Sequence, residues 1–154
     1  VQVAEVRASL LAAVLAAAPS VEPGTRMVAY QADQVDSYEA QTAMRPRLAR
    51  VRLADAPEVS RWTTTGAFDT AAARIVVEIG YPADWRRTED GLDDAIAADV
   101  VTIVTALRGA TWPSGLHNLT IGPSPVLSTV TGTGGAIVAL ILTFTIGVEY
   151  ATGS

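Results

Sequence analysis

Three features of the sequence predict an α+β fold: a largely antiparallel sheet with two helices packed on one face. Segments in which apolar residues alternate outnumber segments in which they recur every three or four positions. The alternating segments follow one another across turn residues, whereas a parallel βαβ arrangement would separate them with helices. The chain of 154 residues, 49% hydrophobic and 18% charged, is sized for one compact domain spanning 1–154 and is too apolar for a disordered chain.

The first helix runs from Val3 to Ala18, where Val3, Val6, Leu10, Val14 and Ala17 fall on one face and the intervening alanines raise helicity. Pro19 stops it, and Ser20 to Gly24 is a loop. Arg26 to Gln31 reads as a short strand. Asp33 to Met44 is polar and poorly periodic, which predicts a surface loop. Arg45 to Leu53 alternates, with Arg47, Ala49, Val51 and Leu53 on one side and Leu48, Arg50 and Arg52 on the other. Its partner is Arg74 to Tyr81, where Ile75, Val77, Ile79 and Tyr81 share a face, and Arg50 or Arg52 opposite Glu78 makes a cross-strand charge pair. The link between them, Ala54 to Ala73, offers Trp62 and Phe68 as packing anchors.

Pro82 ends that strand, and Asp84 to Asp90 is a polar link. Gly91 to Leu107 is the clearest helix, with Leu92, Ile96, Val100, Ile103 and Leu107 on one stripe. Asp90, Asp93 and Asp94 stand at its positive dipole end, and Arg108 stands at the other. Strand pattern returns at Leu116 to Ile121, breaks at Gly122-Pro123-Ser124-Pro125, and resumes from Val126 to Val130 before a turn at Thr131 to Gly135. The last strand, Val138 to Tyr150, alternates without a break. At roughly 3.3 Å per residue it would reach about 43 Å, more than a small domain needs for its own core. Its second face, Ala139, Ile141, Thr143, Thr145, Gly147 and Glu149, is small and hydroxylic, suited to cover by another subunit or to solvation.

The inventory of reactive groups is short. Acids exceed bases by 16 to 11, a formal charge of −5, which argues against nucleic-acid binding through bulk positive charge. All 11 basic residues are arginine, so P-loop lysine chemistry and Schiff-base catalysis are excluded. With no cysteine and a single histidine, His117, thiolate zinc sites, disulfide scaffolds and Cys–His catalysis are excluded as well. The most apolar run, Ala136 to Val148, falls short of the roughly 20 residues of a membrane-spanning helix, and the apolar start carries Glu5 and Arg7, unlike a secretory signal. The expectation is a soluble protein, and Asn118-Leu119-Thr120 is then a chance match to a glycosylation acceptor.

Glu89, Asp90, Asp93, Asp94 and Asp99 form the one acidic cluster; oxygen-ligand metal binding is conceivable there, but charge complementation at a solvated helix start is the simpler reading. Gly132-Thr133-Gly134-Gly135 precedes a strand, not a helix, and reads as a hairpin turn and not a phosphate cradle. Arg45, Arg47, Arg50 and Arg52 divide between two strand faces, as a solvated or ion-paired edge or as guanidinium partners across a subunit interface. Trp62, Trp85 and Trp112 read as satellite packing anchors. No nucleophile, base and orienting group assemble, so no enzyme, metal or cofactor is expected.

The order of elements carries a resemblance. The amphipathic first helix, the Arg-bearing strand before a variable loop, the strand Ile75-Val76-Val77-Glu78-Ile79-Gly80-Tyr81-Pro82, the acid-opened helix Gly91-Leu92-Asp93-Asp94-Ala95-Ile96 and the terminal strand Leu140-Ile141-Leu142-Thr143-Phe144-Thr145-Ile146-Gly147-Val148-Glu149-Tyr150 resemble the tail-terminator, or tail-completion, proteins of long-tailed bacteriophages. The similarity covers nearly the whole chain and lies in element order and hydrophobic pattern. It implies an α+β protomer that closes into a ring, typically six-fold, on the head-proximal end of the tail tube, in the virion tail after assembly in the host cytoplasm. The ring would stop tube polymerisation and present the head-attachment surface, with copies of itself, the tail tube protein and a neck or head-completion protein as partners. Candidate interface residues are Arg45, Arg47, Arg50, Arg52, Ile141, Thr143, Thr145 and Glu149. The alternatives are a neck, head-completion or tube-like structural protein, or a small ligand-binding or enzymatic α+β domain.

Overall fold

The computed structural model describes residues 3–20, 27–31, 37–59, 70–83, 91–122 and 124–151. In chain order the elements are α1 (Val3–Ala16), β1 (Val28–Ala29), α2 (Tyr38–Met44), β2 (Leu48–Leu53), β3 (Glu58–Val59), β4 (Thr70–Pro82), α3 (Gly91–Gly109), β5 (Leu116–Ile121), β6 (Val126–Thr131) and β7 (Ile137–Ala151). The fold is α+β: among the described residues, three helices lie against a seven-stranded sheet that is antiparallel except where β1 meets β2.

Two long strands organise the sheet. The order is β1-β2-β4-β7-β5, with β3 sharing the β2 edge of β4 and β6 sharing the β5 edge of β7. β4 and β7 pair from Thr70↔Ala151 to Pro82↔Ala139, so Ile75 faces Ile146, Val77 faces Phe144 and Ile79 faces Leu142. This register gathers the large apolar residues Ile75, Val77, Ile79, Leu142, Phe144 and Ile146 on one face, where α1 (Val6, Leu10, Val14) and α3 (Leu92, Ile96, Ile103, Leu107) cover it. Burying each such side chain contributes about 1.5–3 kcal/mol, and a slip of one residue would turn the whole set outward. The two expected helices and the expected strand pairs are therefore in place, and Trp112 packs half-buried against this core.

The opposite, open face of the sheet differs from expectation at its β1 end. The stretch read as a loop from Asp33 to Met44 contains α2, while 32–36 lie outside the described residues. Periodicity missed this helix because two of the three side chains it buries, Gln41 and Thr42, are polar; Tyr38 is the third. Ser37 caps it by accepting from Ala40 N–H, and Thr42 donates to the Tyr38 carbonyl. The strand read from Arg45 begins only at Leu48, because Arg47 adopts φ +50 and turns the chain. The strand read from Arg74 begins four residues earlier, at Thr70, and the link before it holds β3. Trp62, Phe68, Trp85, Glu89 and Asp90 lie outside the described residues.

β7 spans 15 residues, about 50 Å. Its first residues, Ile137 and Val138, extend past the end of β4, on the side where β6 pairs with the strand. The β6–β7 hairpin is therefore an edge arm: Val126 to Val130 border the part of β7 that also pairs with β4, and the arm overhangs β4 by Ile137, Val138 and a turn in which Gly134 and Gly135 take positive φ and Gly132 N–H donates to the Ala136 carbonyl.

Candidate functional site

The four arginines read as one candidate group have separate fates. Arg47 is fully buried: its Nε donates to Asp99 Oδ2 at 2.6 Å and its Nη2 to Oδ1 at 3.3 Å, while the Tyr81 hydroxyl donates to Oδ2 at 2.8 Å. It is a strut between α3 and the sheet and is unavailable to a partner subunit, because the turn at φ +50 aims it inward. Arg50 and Arg52 both reach Glu78 Oε1, from Nη2 at 3.0 Å and from Nε at 2.8 Å respectively. The cross-strand pair is thus doubled, and Arg50 also stacks over the Tyr38 ring at 4.0 Å. With Glu78 buried and two guanidiniums on one carboxylate, the cluster carries a surplus positive charge on the open face. Arg45 ends α2, half-buried, beside the exposed Met44, and its side chain pairs with no acid among the described residues.

Burial raises the Tyr38 and Tyr81 hydroxyls well above their ordinary value of 10.0, with the nearby carboxylates Glu78 and Asp99 adding to it. A folded-state pKa above the unfolded one stabilises the protein fully below pH 10 and is lost as pH rises beyond it. Stability should fall by about 1.4 kcal/mol per pH unit for each tyrosine from about pH 10 upward. Urea midpoints between about pH 9 and 11.5, with tyrosinate absorbance in the near ultraviolet, check this; a flat profile would refute it.

The open-face residues of β7 divide likewise. Ile141 is covered by Tyr38 and Leu48 of its own chain, so it is removed from the candidate interface. The reason is α2, which the polar reading of that stretch left out. Thr143 is half-buried, and Thr145 and Glu149 are exposed. At the end of this face remote from α2 lies a groove of about 760 Å³. Ala72, Arg74 and Gly147 form its floor, Asn118 and Thr120 one wall, Asp55 and Glu58 the other, with Glu149 at its end. Arg74 pairs with Asp55, whereas Glu58 and Glu149 have no cationic partner among the described residues.

The third surface is the arm. Val126, Leu127, Ile137 and Val138 are 61%, 46%, 46% and 36% exposed. The register places Leu127, opposite Leu142, on the helix side and Val126, opposite Thr143, on the open side, so both faces of the arm present apolar groups. The strand Val126-Leu127-Ser128-Thr129-Val130-Thr131 holds no charge and no proline, and its outer edge pairs with nothing among the described residues.

Asp93 and Asp94 stand exposed in the first turn of α3, and no three His, Cys, Asp or Glu come together among the described residues. His117 is exposed on β5. Asp99, which the sequence groups with the surface acids, is misplaced in the same way as Arg47 and Ile141: it is fully buried. Its spacing held the signal: three positions after Ile96 and four before Ile103, it sits within the apolar stripe, where a carboxylate needs a partner. No protein-family model matches the chain, and no curated protein matches it significantly in sequence.

Proposed function

We propose that this chain is a structural protomer that assembles into a ring of the phage tail-terminator kind, capping the head-proximal end of a tail tube, ending its polymerisation and offering a surface for head attachment, with assembly and not catalysis as its work. The β6–β7 arm is the observation that carries this reading. Folded proteins guard an edge strand with charge, proline or a covering element; β6 has none of these among the described residues and adds exposed apolar groups on both faces of its hairpin. Such an arm suits a position inside an assembly, where a neighbouring subunit covers it. The sheet's other end is the two-residue β1, so the ends are unlike, and contacts joining unlike surfaces generate rings when the rotation closes.

Leu127→Lys with Val126→Lys tests the reading. Both positions are exposed, so the circular-dichroism spectrum and melting temperature should stay near wild type while lysine on the edge blocks pairing. Wild type should sediment as a ring, visible by negative-stain electron microscopy, and should shorten tubes when mixed with polymerising tube protein; the double variant should stay monomeric. A wild-type monomer at all concentrations that leaves tube length unchanged would overturn the reading.

A further inference from the structure

We infer that the acid-rimmed groove on the open face receives the Met44–Arg45 tip of α2 from a second copy of this chain. This rests on the ring reading and names two of the surfaces that would meet.

The groove and the tip are complementary in chemistry. Two acids of the groove, Glu58 and Glu149, lack a cation among the described residues, while Arg74 is engaged by Asp55. Arg45 has no acid among the described residues, and in a chain whose 11 basic residues are all arginine the matching partner for these acids is a guanidinium. Met44 is 67% exposed, as large an exposure as any large apolar side chain of the described residues shows. Its flexible thioether suits a floor of small residues, Ala72 and Gly147. That floor has little room to grow, since a Cβ on Gly147 would lie 2.9 Å from Thr120 Oγ1.

Their placement prevents one copy from satisfying itself. The tip follows Thr42, which packs on Gly80 of β4; the groove lies over Ala72, further along the same strand and about 26 Å away. Tip and groove are different surfaces at opposite ends of one sheet face, so each contact leaves one of each exposed for the next copy. This is a head-to-tail contact, able to propagate and to close.

The test is a charge swap in the full chain. Arg45→Glu and Glu149→Arg should each raise the concentration needed for assembly, read by sedimentation velocity, by about tenfold or more, since each sets like charges together. The variant carrying both changes should return to within about threefold of wild type, because opposite charges face each other again. An equimolar mixture of the two single variants should also assemble: the reversed tip of one variant meets the reversed groove of the other, and the remaining native tip meets the remaining native groove, alternately around the ring. Arg45→Gln and Glu149→Gln, with their melting temperatures, guard against a folding defect and should show smaller losses in the same direction. Rings that form normally from both reversed single variants would overturn this inference and leave the ring reading standing. Loss in the singles without rescue by the double variant or the mixture would also overturn it. Open chains that obey the swap without closing would support the inference and overturn the ring; a strict monomer overturns both.

Discussion

Asp99→Ala is expected to lower folding stability by about 3–5 kcal/mol, the cost of removing one member of a buried ion pair. The magnitude follows from what remains. Arg47, with no exposed surface, would keep its charge with the carboxylate gone, and the Tyr81 hydroxyl would lose its acceptor in the same stroke. Arginine holds its proton in any folded protein, so deprotonation offers no relief. Replacing these three polar groups together, as Arg47→Met, Asp99→Leu and Tyr81→Phe, should recover part of the loss, because their desolvation penalty leaves with them. Urea unfolding of the single and triple variants near neutral pH measures both; a loss below about 1 kcal/mol in Asp99→Ala would show that the pair is solvated and the strut idle.

The contrast between Asp99 and Glu78 explains how far the sequence could be read. Glu78 lies opposite Arg50 in an alternating strand pair, so its partner follows from period two alone. Asp99 and Arg47 are 52 residues apart and meet only after α3 packs on the sheet and Arg47 takes a left-handed turn, which no local pattern announces. The same division runs through the fold. β4, β7, α1 and α3 were legible because apolar periodicity reports burial against a core. α2 was not, since it buries Tyr38, Gln41 and Thr42 through shape and hydrogen bonds. The candidate surface inherits this blindness: without α2, Ile141 reads as exposed, and the alternation that divides the arginines between two strand faces gives no sign that the turn at Arg47 buries that one completely. The length of the last strand, by contrast, was legible, and it led to the arm.

Gly80→Val separates the two kinds of reading. Judged by strand propensity, valine in place of a mid-strand glycine should stabilise the sheet. The structure dictates the reverse. A Cβ at position 80 would stand 2.8 Å from Thr42 Cβ and closer still to its γ atoms, which are held in place because Oγ1 donates to the Tyr38 carbonyl at 2.8 Å. Thr42 cannot rotate away without giving up that hydrogen bond, so α2 itself must lift. The expected cost is about 2–3 kcal/mol, typical of overpacking a filled site. Lifting α2 would also separate Tyr38 from Leu48 and from the Arg50 guanidinium, so the near-ultraviolet circular dichroism of the tyrosines should weaken while the far-ultraviolet spectrum holds. Thr42→Ala in the same chain removes the γ atoms and should restore part of the stability. Because the Met44–Arg45 tip rides on α2, Gly80→Val should impair assembly as well as stability, whereas Leu127→Lys with Val126→Lys should impair assembly alone. A Gly80→Val protein as stable as wild type would mean that α2 does not pack on β4 as described, and the tip would lose its fixed place above the sheet.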